Sequence, residues 1–315
     1  MTQIVLENPA GVYGPVLSLL KKEGYTAADM HFHTEFSMDG ISKVNNVLKR
    51  CRKLNTGVAI ADHNEIGGVI KAFKLRKKEF IIPGIEASCH EGAHLLLYFY
   101  TLSECREFYK KEILPQKKIN PFFIPTKTAE LIETASKYNC VICSPHPFGP
   151  GVTGIHKIDI PSSTIRKIDL IEGINGVCLR GMNTKAIDWA NKLKKGMTAG
   201  TDGHTTAELG LDLSLAQGND IESFLKSLIK GNSIIIGKEE CFFTDAVHQV
   251  VKEKFYFERA IKKHEGLLWL KTHYENEVEH LKNKMKKEEF HFHMHAHHRE
   301  LKKESRLHPH FKHLF

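Results

Sequence analysis

The segment Met30-His31-Phe32-His33-Thr34 sets two histidines two residues apart in an apolar run. On a β-strand, residues i and i+2 share a face, so His31 and His33 can converge on one ion. Taken alone, an HxH pair fits equally well two ordinary histidines at a strand end. More polar stations follow along the chain: Ser37-Met38-Asp39-Gly40, Ala61-Asp62-His63-Asn64, Pro83-Gly84-Ile85-Glu86, His94, Ser144-Pro145-His146-Pro147 and Ala199-Gly200-Thr201-Asp202-Gly203-His204. Their donors are imidazoles and carboxylates with no thiolate among them, a set suited to zinc, iron or manganese.

The elements that must position these groups show in the hydrophobic pattern. Short apolar runs at 28–33, 58–61, 80–86, 94–100, 140–144, 169–174, 197–200 and 233–236 read as strands. Amphipathic stretches between them read as helices: one from Ser42, a good N-cap, through Val44, Val47, Leu48 and Cys51, and others at 66–78, 126–138, 183–194 and 221–230. Residues 115–125 read as a loop. Repeated strand–helix alternation implies an α/β fold with a parallel sheet, either a closed barrel or a doubly wound layer; periodicity does not choose between them. Most of the polar stations fall at the C-terminal ends of these strands, where α/β folds build their sites. His94 instead opens a strand.

Composition sets the outer bounds. The chain has 315 residues, 41% hydrophobic and 26% charged, as expected of a globular protein with a real core. No apolar run reaches the roughly 18 residues that a membrane-spanning helix needs. The first residues lack the pattern of a secretory signal, so the expected address is the cytoplasm, with no membrane partner. Seven cysteines without a CxxC pair argue against a disulfide framework and read as small buried hydrophobes. The net charge is +8, and residues 252–315 hold 15 Lys and Arg against 10 Asp and Glu, so +5 of it lies there. The earlier chain is only mildly basic, which favours an anionic substrate without by itself signalling nucleic-acid binding.

In order, HFHTEFSMDG, IADHN, PGIEASCHEGAH, SPHPFG and AGTDGH resemble the successive motifs of the PHP (polymerase and histidinol phosphatase) family. The resemblance runs from about Asp29 to Gly237. It implies a distorted (β/α)7 barrel, which answers the barrel-or-layer question, with a trinuclear metal site and phosphoesterase activity. Carried over position by position, it implies two or three divalent ions (Mn, Zn or Fe). One would be held by His31, His33 and Asp202, with Glu86 bridging to a second that adds His94 and His146. A third would be held by Asp39, His63 and His204. In some family members the position of Asp39 is a histidine. Glu86, Asp202 and His204 would carry the catalysis, with a hydroxide bridging two ions attacking phosphorus in line.

Outside this set, Asp62 could orient neighbouring ligands or simply shape a turn. His90 and His156 read as loop residues. Glu172 and Asn175 could touch substrate or cap a helix, and Arg180, ahead of Lys185, is the better phosphate contact. The barrel is expected over residues 1–243. Residues 244–315 read as a helical extension with an apolar stripe suited to homo-oligomerisation, ending in a flexible tail that contains HFHMHAHH. The expected function is hydrolysis of a phosphomonoester or phosphodiester, of a small molecule, a nucleotide or a short oligonucleotide. A slight lean to the nucleotides rests on the basic balance. The alternatives are a histidinol-phosphate-type metabolite phosphatase, a metal-handling protein that collects ions on the His tract, and a nucleic-acid-binding module on the basic tail.

Overall fold

A computed structural model describes residues 4–7, 20–117 and 123–237, all within one compact unit, Met1–Lys252. The boundary expected after residue 243, the helical extension and the His tract lie outside the described residues. Ten strands form one sheet: β1 (Ile4–Glu7), β2 (Tyr25–Phe32), β3 (Gly57–Ile60), β4 (Ile81–Ser88), β5 (His94–Phe99), β6 (Cys140–Ser144), β7 (Leu170–Asn175), β8 (Gly196–Gly200), β9 (Leu213–Gln217) and β10 (Ser233–Gly237). Their order is β1-β10-β9-β2-β3-β4-β5-β6-β7-β8. The run β2 to β8 curls until its far end meets its start. Phe32 bridges Gly203 just past β8, and the His33 N–H donates to the Gly203 carbonyl at 2.9 Å. This is the expected barrel of seven strands, flanked by β9, β10 and β1 on the other side of β2.

Two strands depart from strand–helix alternation. β5 runs antiparallel to both β4 and β6, and joins β4 through a hairpin that pairs Ser88 with His94. The start of β5 therefore lies beside the end of β4, which brings His94 to the same rim as the C-terminal strand ends. β9 was missed by the hydrophobic pattern because Leu213-Ser214-Leu215-Ala216-Gln217 is short and poor in strand-forming residues; pairing on both sides with β2 and β10 holds it.

The helices sit near their expected places, at Val44–Leu54, Gly67–Leu75, Thr128–Ala135, Arg180–Leu193 and Ile221–Ile229. Ser42 is not the cap of the first; Lys43 occupies that position, and the Ser42 hydroxyl donates to the His204 carbonyl at 3.1 Å. The expected loop from residue 115 is helical as far as Lys117. A helix begins at Leu102 behind a Thr101–Glu104 capping box and passes through a π-turn at Tyr109–Ile113 into Leu114–Lys117. Pro115 has no N–H to continue an α-helical ladder, and the wider turn before it takes up the mismatch.

The core lies on both sides of the sheet. Met30, Ala59, Ile82, Leu96, Tyr98 and Cys143 form one cluster, and Phe32, Val58 and Ile60 form another with Val44, Val47 and Val69 of the covering helices. Met30 and Phe32 belong to different clusters although two residues apart. The β2–β3 register shifts between Asp29 and Phe32, and that bulge re-aims the end of β2. Six of the seven cysteines are described, all free and five of them buried, as hydrophobes. No helix among the described residues is long and apolar enough to cross a membrane.

Candidate functional site

At one rim of the barrel six histidines and three carboxylates from six strand ends or their loops converge. Glu86, 1% exposed, is their hub. Its Oε2 lies 3.3 Å from His31 Nε2, 3.4 Å from His33 Nε2 and 3.1 Å from His63 Nδ1. Its Oε1 lies 2.9 Å from His94 Nδ1 and 3.2 Å from His146 Nε2. Asp202 Oδ1 is 3.1 Å from His33 Nε2 and 3.7 Å from His31 Nε2. Asp39 Oδ2 is 2.9 Å from His204 Nε2 and 3.4 Å from His63 Nε2. The imidazoles also pack on one another, His33 stacking on His204 at 4.4 Å and on His63 at 4.7 Å between centroids.

Local backbone makes this convergence. His146, Asp202 and Asn64 are non-glycine residues with positive φ, at 26°, 50° and 48°, in the turns that leave β6, β8 and β3. Such conformations persist only where the surroundings hold them. Asp29, buried in β2, supplies part of that hold: its carboxylate accepts from the Thr201 N–H and hydroxyl, the His31 N–H and the Gly210 N–H. Burial pushes its carboxyl up to about 6. Asp62 acts similarly on the other side, accepting from the Thr34 N–H at 2.6 Å and hydroxyl at 2.8 Å, so it fixes the HFHT turn. Gly200 closes the barrel, since a Cβ there would lie 2.4 Å from His31 Cβ and 2.6 Å from its nitrogen.

A second layer orients the imidazoles. Glu172, wholly buried, accepts from His31 Nδ1 at 3.0 Å, the His146 N–H at 2.8 Å and Asn175 Nδ2 at 2.9 Å. The same Asn175 amide donates to Asp202 Oδ2 at 3.3 Å, and its oxygen accepts from the Val177 N–H. Asn175 is thus committed to the carboxylates rather than open to a ligand. Ser88 Oγ meets His63 Nδ1 at 3.1 Å, and the Ser37 hydroxyl donates to Asp39 at 2.7 Å. Arg180 is exposed at the first position of its helix, and Lys185 is exposed one turn further. His90 and His156 are exposed too; His156 meets the Pro147 carbonyl instead of the cluster.

Buried carboxylates and imidazoles set one another's charge in this site. Among the described residues, every ion pair of Glu86 and Asp39 is with a histidine. Burial works against the charge on Glu86, yet His63, His94 and His31 hold it well below the usual carboxylate range, and His204 and His63 do the same for Asp39. Burial also opposes the His63 imidazolium, but Glu86 and Asp39 raise it to about 9. His31 is raised well above its ordinary range by Asp202, Glu86 and Glu172 against the same penalty. Burial, with His204 next, drives His33 down to about 3, and burial lowers His94.

Divalent cations fit this arrangement. His31 Nε2 and Glu86 Oε2, both turned into the cluster, are buried polar atoms that make no hydrogen bond. Leaving such groups unmet costs about 1–3 kcal/mol each, whereas a ligated atom needs no partner. Three sets of donor atoms gather within 4.8 Å: His31, His33 and Asp202; His33, Asp39, His63 and His204; and His63, Glu86 and His94.

Residues 29–149 match the model of the PHP domain, and residues 181–233 match that of the PHP-associated region. The chain thus carries a PHP domain followed by a PHP-associated region. The PHP match covers the strands that carry Glu86, the HFHT turn, His94 and His146, and the second covers the loop of Asp202 and His204. Over 62 residues the chain is 37% identical to DNA polymerase III subunit alpha of Borreliella burgdorferi, a stretch that is 18% of this chain and 5% of that subunit. A two-domain protein of Bacteroides vulgatus containing a predicted PHP-like metal-dependent phosphoesterase shares the fold with a TM-score of 0.52 at 14% identity, over 75% of this chain and 69% of that one. Endonuclease Q, in complex with a 27-mer duplex bearing an abasic lesion at the active site, shares it with a TM-score of 0.54 at 19% identity, over 68% of this chain and 60% of that one.

Proposed function

We propose that this PHP-family phosphoesterase cleaves a phosphate ester of a nucleotide or short oligonucleotide on two or three divalent ions. His31, His33 and Asp202 would hold one ion, Glu86, His94 and His146 a second, and Asp39, His63 and His204 a third. The observation that carries this reading is Glu86, a buried carboxylate with five imidazole nitrogens within 3.4 Å and, among the described residues, no lysine or arginine partner. Ions bound there supply Lewis acidity to the phosphoryl oxygens and a nucleophile from water at neutral pH.

The chain's own residues do the rest. Glu86, shared between the groups of histidines, sets their spacing. Asn175 steers Asp202 Oδ2, leaving Oδ1 toward His33 and His31. Glu172 keeps the His31 proton on Nδ1, so that Nε2 faces the cluster. Asp39, His63, His94 and Asp202 are 13–17% exposed, and this is the side from which an ester reaches the centre. Arg180, exposed after β7, would steady a phosphate oxygen. The nucleotide preference is supported by the mildly basic chain and by a fold shared with Endonuclease Q, which carries DNA at its active site.

The test is a substrate panel with protein reconstituted with manganese, zinc or iron: mononucleotides, short oligonucleotides and histidinol phosphate. Turnover of a nucleotide or oligonucleotide above the metabolite supports the proposal; preference for histidinol phosphate contradicts it.

A further inference from the structure

The loop between His33 and Asp39 carries a feature that phosphate hydrolysis alone does not need. Phe36 is 39% exposed, one of five large hydrophobic side chains that the described residues leave open to solvent. A second, Ile41 at 37%, follows Asp39 in the same loop, and its N–H donates to the His204 carbonyl at 3.2 Å. Two exposed apolar side chains thus flank, along the chain, a carboxylate of the metal cluster.

The Phe36 ring is also held in place. The Phe36 backbone N–H donates to the Thr34 hydroxyl at 3.2 Å. The ring rests on the start of the helix Gly67–Leu75, where a Cβ on Gly67 would lie 2.3 Å from Cδ1 and 2.8 Å from Cε1. Only glycine admits the ring so close. The Lys71 ammonium stands 5.5 Å from the ring centroid, and Glu35 fixes it there at 2.6 Å. An aromatic ring seated by glycine and lysine on its protein side, and left open otherwise, is preorganised to receive a second ring.

We propose that Phe36 is the platform on which the nucleobase of the phosphate ester stacks, and so determines specificity for ring-bearing esters. This rests on the nucleotide reading above. Stacking on an aromatic side chain tolerates any base, so the platform selects bases as a class without reading sequence.

The experiment compares kcat/KM on matched substrates with and without a ring. Deoxyadenosine monophosphate is set against glycerol phosphate, and a short oligodeoxynucleotide against the same oligomer lacking the base next to the cleaved bond. Phe36→Ala should lower the ring-to-ringless ratio roughly 5- to 100-fold, the range that truncating a base-stacking ring gives, mainly through KM. Phe36→Trp should keep the ratio. Gly67→Ala, which leaves the ring present but displaces it, should lower it too. Equal losses on both members of a pair, or a ratio unchanged in Phe36→Ala, would overturn the platform while leaving nucleotide hydrolysis standing. A wild-type protein that turns over glycerol phosphate but no nucleotide would overturn the nucleotide reading, and the platform with it.

Discussion

Glu172→Gln removes one charge and almost no volume from a buried carboxylate whose two oxygens accept three hydrogen bonds. One rotamer of the amide would keep its oxygen toward His31 Nδ1 and turn its NH2 on the His146 N–H and the Asn175 amide, which now bond to Glu172 Oε2 at 2.8 and 2.9 Å. Two buried donors would then face a donor, at about 1–3 kcal/mol each. The other rotamer would present NH2 to His31 Nδ1. That nitrogen would have to accept, moving the proton to Nε2, the atom 3.3 Å from Glu86 and 3.7 Å from Asp202. A protonated Nε2 cannot ligate. Either way, affinity for the ion at His31, His33 and Asp202 should fall about 10- to 100-fold, equivalent to about 1.4–2.8 kcal/mol. A competitive titration against a chromogenic chelator reads this directly, with circular dichroism confirming that the variant is folded. A folded Glu172→Gln protein whose metal affinity stays within twofold of wild type would refute the assigned role.

Three further outcomes are expected. Gly200→Ala forces a Cβ to within 2.4 Å of His31 Cβ, so barrel closure should loosen at about 1–3 kcal/mol, seen as a lower melting temperature; an unchanged melting temperature contradicts the packing. In the metal-free protein His63, raised to about 9, is charged at pH 7.5 and must lose its proton to bind metal. Calorimetry in buffers of different ionisation enthalpy should therefore show net proton release, and affinity should climb as pH rises toward 9; zero release would count against it. Replacing His291, His293, His295, His297 and His298 with alanine should leave turnover intact, whereas loss of function would favour the metal-handling alternative.

Much of the site was legible because its donors are sequence-local to strand ends: the i, i+2 pair His31 and His33, the Glu86 near the end of β4, and the His146 and Asp202 turns. His94 was not placed by that logic, since only the antiparallel run of β5 brings a strand start to the same rim. Glu172 and Asn175 were singled out without their partners. They are three residues apart, which on a regular strand would put them on opposite faces, and the register shift between Glu172 and Ile174 brings them together. Asp29 went unnoticed because a lone aspartate inside an apolar strand has no local signature; its four donors come from Thr201 and Gly210, far along the chain, and from His31, two residues on in its own strand.

The most direct test of the central claim is phosphate-ester hydrolysis by the metal-reconstituted protein beside Asp202→Ala and Glu86→Ala, with bound metal measured in each. The account predicts turnover that requires added divalent metal, disappears with a chelator and is lost in both variants, together with a lower metal content. Turnover that survives in both variants, or that is indifferent to metal, would contradict it.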